Sequence, residues 1–408
     1  MSKTIAALDV HKKVLMVVIL AQKDEVDVVA RRRFLTGTKE RQQLVDWLKN
    51  QNVDEVVMES TAQYWRPIWL DLEARYEEDK LHLAQAYSNR APKGRKHDFK
   101  DAERLGRRLL SGELILSFVP DPEQRAWRML SRTRVQLTED HTRLQNQIEA
   151  LLEEMRIKLS SIVSDLVGVS GFRILRAIAN GVKDASKLAA LGDAGLKCSE
   201  EELADAVNVP VSELHRGILK LMLDRMELIR TQKEEIDLLL AAEMKAKESA
   251  VKRLSEVPGL GPQSAMQIIA EVGAEVKKFA SAGEFASWIG TCPGSEESAE
   301  QNKSAVSPKG NRFMRRILMQ AAMAAVKTKG SIFEVKFRQL LPKGYKQAAW
   351  AIAHKLSRVI WKLLHDGVDY IELGPSRNEK AKQGRIKRMC KELRRLGYAI
   401  QTPQTATA

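Results

Sequence analysis

This 408-residue chain has three cysteines, Cys198, Cys292 and Cys390, too far apart for a CxxC pair or a convincing disulfide set. A zinc site and a stapled secreted module are therefore disfavoured, and reduced thiols are expected. No apolar run approaches the roughly 20 residues that cross a bilayer, so no membrane partner is expected. Met1-Ser2-Lys3-Thr4 runs straight into an apolar strand without a signal-peptide pattern, which predicts a cytoplasmic protein. After Asp9-Val10-His11-Lys12 there is no Gly-rich phosphate turn, which argues against an actin-like ATPase. No internal repeat is visible. Acids are the minority charge, 53 Asp and Glu against 67 Lys and Arg, and the net charge of +14 predicts a polyanionic partner. With no membrane segment, that partner is expected to be nucleic acid. A 44% hydrophobic composition over this length suffices for more than one core.

What is present begins with four acids. Asp9 lies in the apolar run Ile5-Ala6-Ala7-Leu8-Asp9-Val10, and Glu59 ends Glu55-Val56-Val57-Met58-Glu59. Both carboxylates therefore ride on segments that otherwise read as buried strands, where an unpaired charge is costly. Asp98 and Asp101 are three apart and share one face if a helix begins there. Four such carboxylates would repel one another without a cation, and as hard oxygen ligands they suit Mg²⁺ or Mn²⁺. His11 and Lys12 adjoin Asp9 and read as a solvated turn.

Three β-rich runs, at about Ile5 to Val10, Leu15 to Leu20 and Val26 to Phe34, predict an antiparallel meander. A helix at about Lys39 to Asn50, the Glu59 strand, a helix at Gln63 to Tyr76, a strand at Leu81 to Tyr87 and a helix at Lys100 to Ser111 follow. That order predicts an RNase H-like α/β domain over residues 1–115. From Pro122 to about Ser160, Leu130, Leu137, Leu144 and Leu151 recur every seven residues, with Arg134 and His141 in the companion position. This is coiled-coil spacing, satisfied either within one subunit by a second helix at Val211 to Ala246 or across an oligomer. A helical region over residues 120–250 is expected.

Val257-Pro258-Gly259-Leu260-Gly261-Pro262 resembles a helix-hairpin-helix turn, in which Gly259 and Gly261 would let backbone amides face a phosphate. Further on, Lys309-Gly310-Asn311-Arg312 leads into Arg315 and Arg316, and the three arginines at i, i+3 and i+4 would share a helix face suited to phosphate. Residues 251–330 thus read as a third region. Residues 331–408 add a helix from about Lys346 to His365, read as packing, and a basic tail to Arg395.

Taken in order, Leu8-Asp9-Val10-His11-Lys12, Met58-Glu59-Ser60-Thr61, Lys96-His97-Asp98-Phe99-Lys100-Asp101-Ala102, Pro258-Gly259-Leu260-Gly261, Glu297-Ser298-Ala299 and Lys309-Gly310-Asn311-Arg312 resemble the DEDD-type transposases of bacterial insertion sequences. That family includes Piv-like invertases and bridge-RNA-guided recombinases. The resemblance implies a RuvC-like domain, a coiled coil and a serine-bearing, mostly helical domain. It implies that Asp9, Glu59, Asp98 and Asp101 bind a divalent metal and that Ser298 is a nucleophile forming a phosphoserine link to DNA. Ser295 stands as the alternative, because the text after Ser298 departs from the small residues and glycine of many relatives. A noncoding guide RNA, a homo-oligomer (dimer or tetramer) through the coiled coil, and nucleoid association when bound to DNA are also implied. Two rivals remain at this stage: a resolvase or nuclease that uses water, and a non-catalytic architectural nucleic-acid-binding protein.

Overall fold

The computed structural model describes residues 3–23, 25–59, 62–86, 98–292, 297–298, 301–302, 307, 309–372 and 379–395. They form two compact units, Met1–Asp121 and Pro122–Ala408.

The first unit is a five-stranded sheet of β1 (Lys3–Val10), β2 (Val14–Gln22), β3 (Val26–Leu35), β4 (Glu55–Glu59) and β5 (Leu81–Ala84), in the order β3-β2-β1-β4-β5. The first three strands are antiparallel, as the short charged breaks predict, whereas β1–β4 and β4–β5 are parallel. The parallel pairs need crossovers, which α1 (Thr38–Asn50) and α2 (Trp65–Glu73) provide. Strand alternation then sorts the side chains. Ala6, Leu8, Val56 and Met58 pack with Leu44, Leu48, Ile68 and Leu72 of the two crossover helices. Ala7 and Val57 face the other way and pack against Leu105 of α3 (Asp98–Leu110), which lies across β1, β2 and β4. β5 ends at Ala84, earlier than the expected Tyr87, and Tyr87 lies outside the described residues. A five-stranded mixed sheet covered on both faces is compatible with the expected RNase H-like domain.

The second unit is helical apart from one short hairpin. It opens with α4 (Pro122–Glu154), followed by α5 (Leu159–Ile162), α6 (Val169–Ala179), α7 (Ala185–Ala189), α8 (Glu200–Val207) and α9 (Glu213–Glu243). The long helices α4 and α9 pair along their length within this chain. Heptad residues Leu144 and Leu151 are buried with Leu219, Leu223 and Met226 of α9, so the seam read from the sequence is filled intramolecularly. Arg134, a poor seam residue by hydropathy, donates through Nε and Nη2 to Asp237 of α9 at 2.5 and 3.1 Å, and Gln263 Nε2 reaches the same carboxylate at 2.8 Å. It sets the register of the hairpin. The helix also joins two cores: Trp127 belongs to one and Leu144 to Met155 to the other.

The remaining elements are α10 (Glu248–Ser255), α11 (Pro262–Val272), α12 (Ala282–Ile289), the hairpin strands β6 (Glu297–Ser298) and β7 (Gln301–Asn302), α13 (Arg312–Ala325), α14 (Ile332–Leu340), α15 (Tyr345–His365) and α16 (Glu379–Arg395). Between α10 and α11, Gly259 holds φ +87°. A Cβ there would sit 2.3 Å from the Ala321 carbonyl oxygen and 2.6 Å from the Ala325 nitrogen. This glycine therefore seats the turn against α13. Gly261 is exposed and caps α11 ahead of Pro262. Gly259→Ala is expected to lower the unfolding free energy by about 2–5 kcal/mol, the combined scale of a non-glycine residue at positive φ and an overpacked contact. Denaturant unfolding measures it. Loss of DNA binding at unchanged stability would instead return this turn to phosphate contact.

Candidate active site and nucleic-acid interface

In the parallel pair, Leu8 lies opposite Met58, so Asp9 and Glu59 are the next positions on neighbouring strands, with backbones about 5 Å apart. Both share the parity of Ala7 and Val57 and so fall on the face covered by α3. They also stand at the carboxyl ends of β1 and β4, where the strand order reverses direction: β2 and β3 build out on one side of β1, β4 and β5 on the other. Open α/β sheets bind ligands at such a switch point. Asp101 is in the first turn of α3, one turn ahead of Leu105, which packs on Ala7 and Val57; Arg104 Nη2 lies 3.8 Å from its Oδ1. Asp98 is the first residue of α3, and its side chain lies outside the described residues. His11 Nε2 is 3.0 Å from Asp9 Oδ2, so the adjoining histidine contacts the acid, though half of its side chain is exposed.

Among the described residues no three His, Cys, Asp or Glu side chains form a metal-holding group. The donor chemistry still fits a hard divalent cation. Adjacent strands bring two oxygen-bearing side chains, Asp9 and Glu59, to one face, and the covering helix carries a further carboxylate, Asp101, which is not gathered with them into a group of three.

The second unit explains the Lys309-Gly310-Asn311-Arg312 motif. Asn311 Oδ1 accepts from the amides of Phe313 and Met314 at 2.9 and 3.1 Å and caps α13. Its Nδ2 donates to Glu271 Oε2 at 2.8 Å. Glu271, on α11, is 1% exposed and takes two further bonds from Arg132 of α4, at 2.8 and 2.9 Å. Arg128 adds an ion contact at 3.7 Å and a bond to the Glu271 carbonyl. Burial pushes the Glu271 carboxyl up, but Arg132, Arg128 and Asn311 outweigh it and hold the group below its ordinary 4.5. A Cβ on Gly310 would lie 2.0 Å from the Ile289 carbonyl oxygen, so the motif glycine permits this close approach.

The three arginines are not equivalent. Arg315 Nη1 donates to the Gly290 carbonyl at 2.6 Å and its guanidinium stacks 4.5 Å from the Trp350 ring. It is tied into the fold. Lys309 and Arg312 are exposed and Arg316 half-buried, so these three are the ones best placed for phosphate.

Ser298 closes β6, paired with Gln301 of β7; its side chain, and all of Ser295, lie outside the described residues. The segment bearing them is tethered at both ends to α15. Thr291 Oγ1 is 3.3 Å from Ser357 Oγ, and Trp350 Nε1 donates to Ser307 Oγ at 2.7 Å. These two attachment points are seven residues apart, about 10 Å along the helix. Sequence periodicity assigned Trp350 to packing, and Glu271 carried no local signal at all.

A carboxylate-bearing α/β unit followed by a helical unit with a capped basic motif defines the class. A DEDD-type transposase family model matches residues 6–157, and a model described as "Transposase IS116/IS110/IS902 family" matches residues 251–337, together more than half of the chain. The chain belongs to this family of insertion-sequence transposases. It is also 27% identical over 296 residues to a Sinorhizobium fredii (strain NBRC 101917 / NGR234) protein named "Putative transposase y4pF/y4sB". The match covers 71% of this chain and 66% of that protein, so the chain spans just under two thirds of its relative.

Replacing Glu271 by Gln leaves Arg128 and Arg132 without their counter-charge and should cost about 3 kcal/mol or more of stability at neutral pH. Because the folded carboxyl is held low, its contribution is present above 4.5 and is lost as pH falls through the folded value. Wild type and Glu271→Gln should therefore converge in thermal midpoint on acidification. A gap that stays constant to the acid limit would show that charge is not the cause.

Proposed function

We propose that this protein is a DNA transposase/recombinase of a mobile element, in which Asp9, Glu59, Asp98 and Asp101 hold Mg²⁺ or Mn²⁺ and Ser298 is the nucleophile. The observation that carries the reading is the neighbouring register of Asp9 and Glu59 at the switch point of the sheet. A divalent ion held there would polarise the scissile phosphate and offset charge on the leaving oxygen.

The chain's own residues account for the rest. Ser298 Oγ bonds to phosphorus as the bond from phosphorus to the 3′ oxygen breaks; the hydroxyl gives up its proton and the 3′ oxygen takes one up. Attack on the phosphoserine by another 3′ hydroxyl reverses these changes, so strands are exchanged without ATP. Lys309, Arg312 and Arg316 hold the backbone and carry no sequence information, as expected of phosphate contacts. Base recognition falls to pairing with a noncoding guide RNA, for which the positive charge excess provides electrostatic support.

The oligomer proposed here does not use the heptad leucines of α4, because Leu144 and Leu151 are filled by α9 of the same chain. It uses the outer face of α9, where Leu214, Leu221 and Leu228, also seven apart, are 72%, 71% and 56% exposed.

Two tests follow from this reading. Wild-type protein incubated with Mg²⁺, its flanking noncoding RNA and labelled element-end DNA should give a protein-linked DNA band on a denaturing gel, lost in both Ser298→Ala and Asp9→Ala. Cutting that persists in Ser298→Ala with no linked band would replace the serine by water. Leu221→Glu with Leu228→Glu should convert the protein to a monomer in light scattering after gel filtration. An unchanged mass would place the oligomer contact elsewhere.

A further inference from the structure

A groove of about 1250 Å³ runs along α15 in the second unit. It exceeds the roughly 300–1,000 Å³ typical of small-molecule sites. Its floor is the outward stripe of α15, from Gln347 through Trp350, His354 and Arg358 to Lys362, opposite the stripe that buries Ile352, Leu356 and Ile360. One wall is α14, through Ile332, Lys336 and Leu340, and the other is the stretch 368–371.

Four cations line it: Lys336, Lys355, Arg358 and Lys362. Among the described residues none of the four is in an ion pair. Among the described residues the one acid in the lining is Asp369, paired with Arg253 at 3.4 Å, and nearby Glu372 accepts from Tyr370 Oη at 2.7 Å and from the Ile332 amide at 3.0 Å. Burial pushes the Lys355 amine down and Lys336 adds to the effect, while the Glu372 carboxylate partly offsets it. The rest of the lining is mostly apolar and aromatic, with Trp350, Trp361 and Tyr370, alongside the polar Thr291, Ser307, Gln347 and His354. Both tethers of the serine-bearing segment, Thr291 and Ser307, also line the groove.

We propose that this groove binds single-stranded DNA and holds the unpaired nucleotides beside the phosphate attacked by Ser298. The inference rests on the serine reading above. Unpaired cations ask for an anion, and the aromatic side chains among them ask for flat faces to stack on. A duplex hides its bases and offers only phosphate, whereas an unpaired strand offers both. The position of the groove, between the two ends of the serine-bearing segment, selects the strand on which that serine acts.

The test uses the full chain and a fluorescein-labelled single-stranded DNA 12-mer containing 5-bromouracil. Photo-crosslinked peptides should map to residues 345–371. Arg358→Glu with Lys362→Glu, at two exposed positions, should keep the wild-type circular dichroism and thermal midpoint. This variant should weaken single-strand binding by about tenfold or more, and should lower the slope of log Kd against log salt by about 1.4, the value for two lost phosphate contacts to a single strand. Duplex binding should change much less. Crosslinks confined to other segments, or unchanged single-strand affinity, overturn the proposal. RNA of the same sequence binding more tightly, with the same sensitivity to the two substitutions, overturns the assignment to DNA. Ser298→Ala should keep the crosslink and the affinity while losing the phosphoserine band. Crosslinks in the groove with no linked band in the wild type would instead defeat the serine reading and leave a single-strand site.

Discussion

A carboxylate that is 1% exposed survives inside a protein only if its charge and its lone pairs are both met, and in the second unit that requirement falls on Glu271. Arg132 meets it with a two-pronged contact from α4, and Asn311 meets it from the start of α13. The consequence reaches the surface. Asn311 is held by Glu271 on its amide side and caps α13 on its carbonyl side, so the direction in which α13 leaves the core is fixed by a buried charge. Lys309 and Arg312, on either side of Asn311, inherit their placement from it.

The first unit treats its acids differently at the two ends of one strand. Glu55, at the start of β4, is buried and surrounded by Lys3 at 2.8 Å, His82 at 3.0 Å and Lys80 at 3.8 Å. Burial raises its carboxyl, but the bonds to Lys3 and His82 outweigh this and hold it low. It is a structural acid with built-in cations. Glu59, four residues later and on the same face, stands one register position beyond Met58 and so beside Asp9. Two like charges brought together by strand register are a poor way to stabilise a sheet and a good way to bind a divalent cation.

Much of this was legible in the sequence where the signal is local. Apolar, β-rich runs bounded by charged breaks found β1 to β4, and a charge at the end of such a run marked Asp9 and Glu59, because a strand tolerates a carboxylate at its tip but not in its middle. The heptad of α4 was equally plain. Its partner was not, since Leu144 packs the same way against a helix of its own chain or of another, and the 58 residues between the two helices leave no periodic trace. Nor does the i, i+3, i+4 spacing of Arg312, Arg315 and Arg316 reveal that one of them turns inward to the Gly290 carbonyl. Glu271 was invisible for the same reason: its partners lie on α4 and beyond α12, and only tertiary structure brings them together. Gly259 was singled out correctly as a special backbone position, but its reason is contact with α13.

The α15 helix shows why an apolar stripe is an ambiguous signal. Ile352, Leu356 and Ile360 fill the core, and the same helix presents Trp350, Lys355, Arg358 and Lys362 on its other side. Lys336 and Lys355 line one groove, where burial and then Lys336 push the Lys355 amine down and Glu372 opposes them. Four cations in no ion pair among the described residues, set beside aromatic rings, are better explained by what enters the groove than by what the groove contributes to the fold. The same helix holds both ends of the segment that carries Ser298. A strand lying along α15 would thus be positioned by the element that also anchors the segment carrying Ser298, and any shift of that helix would move both together.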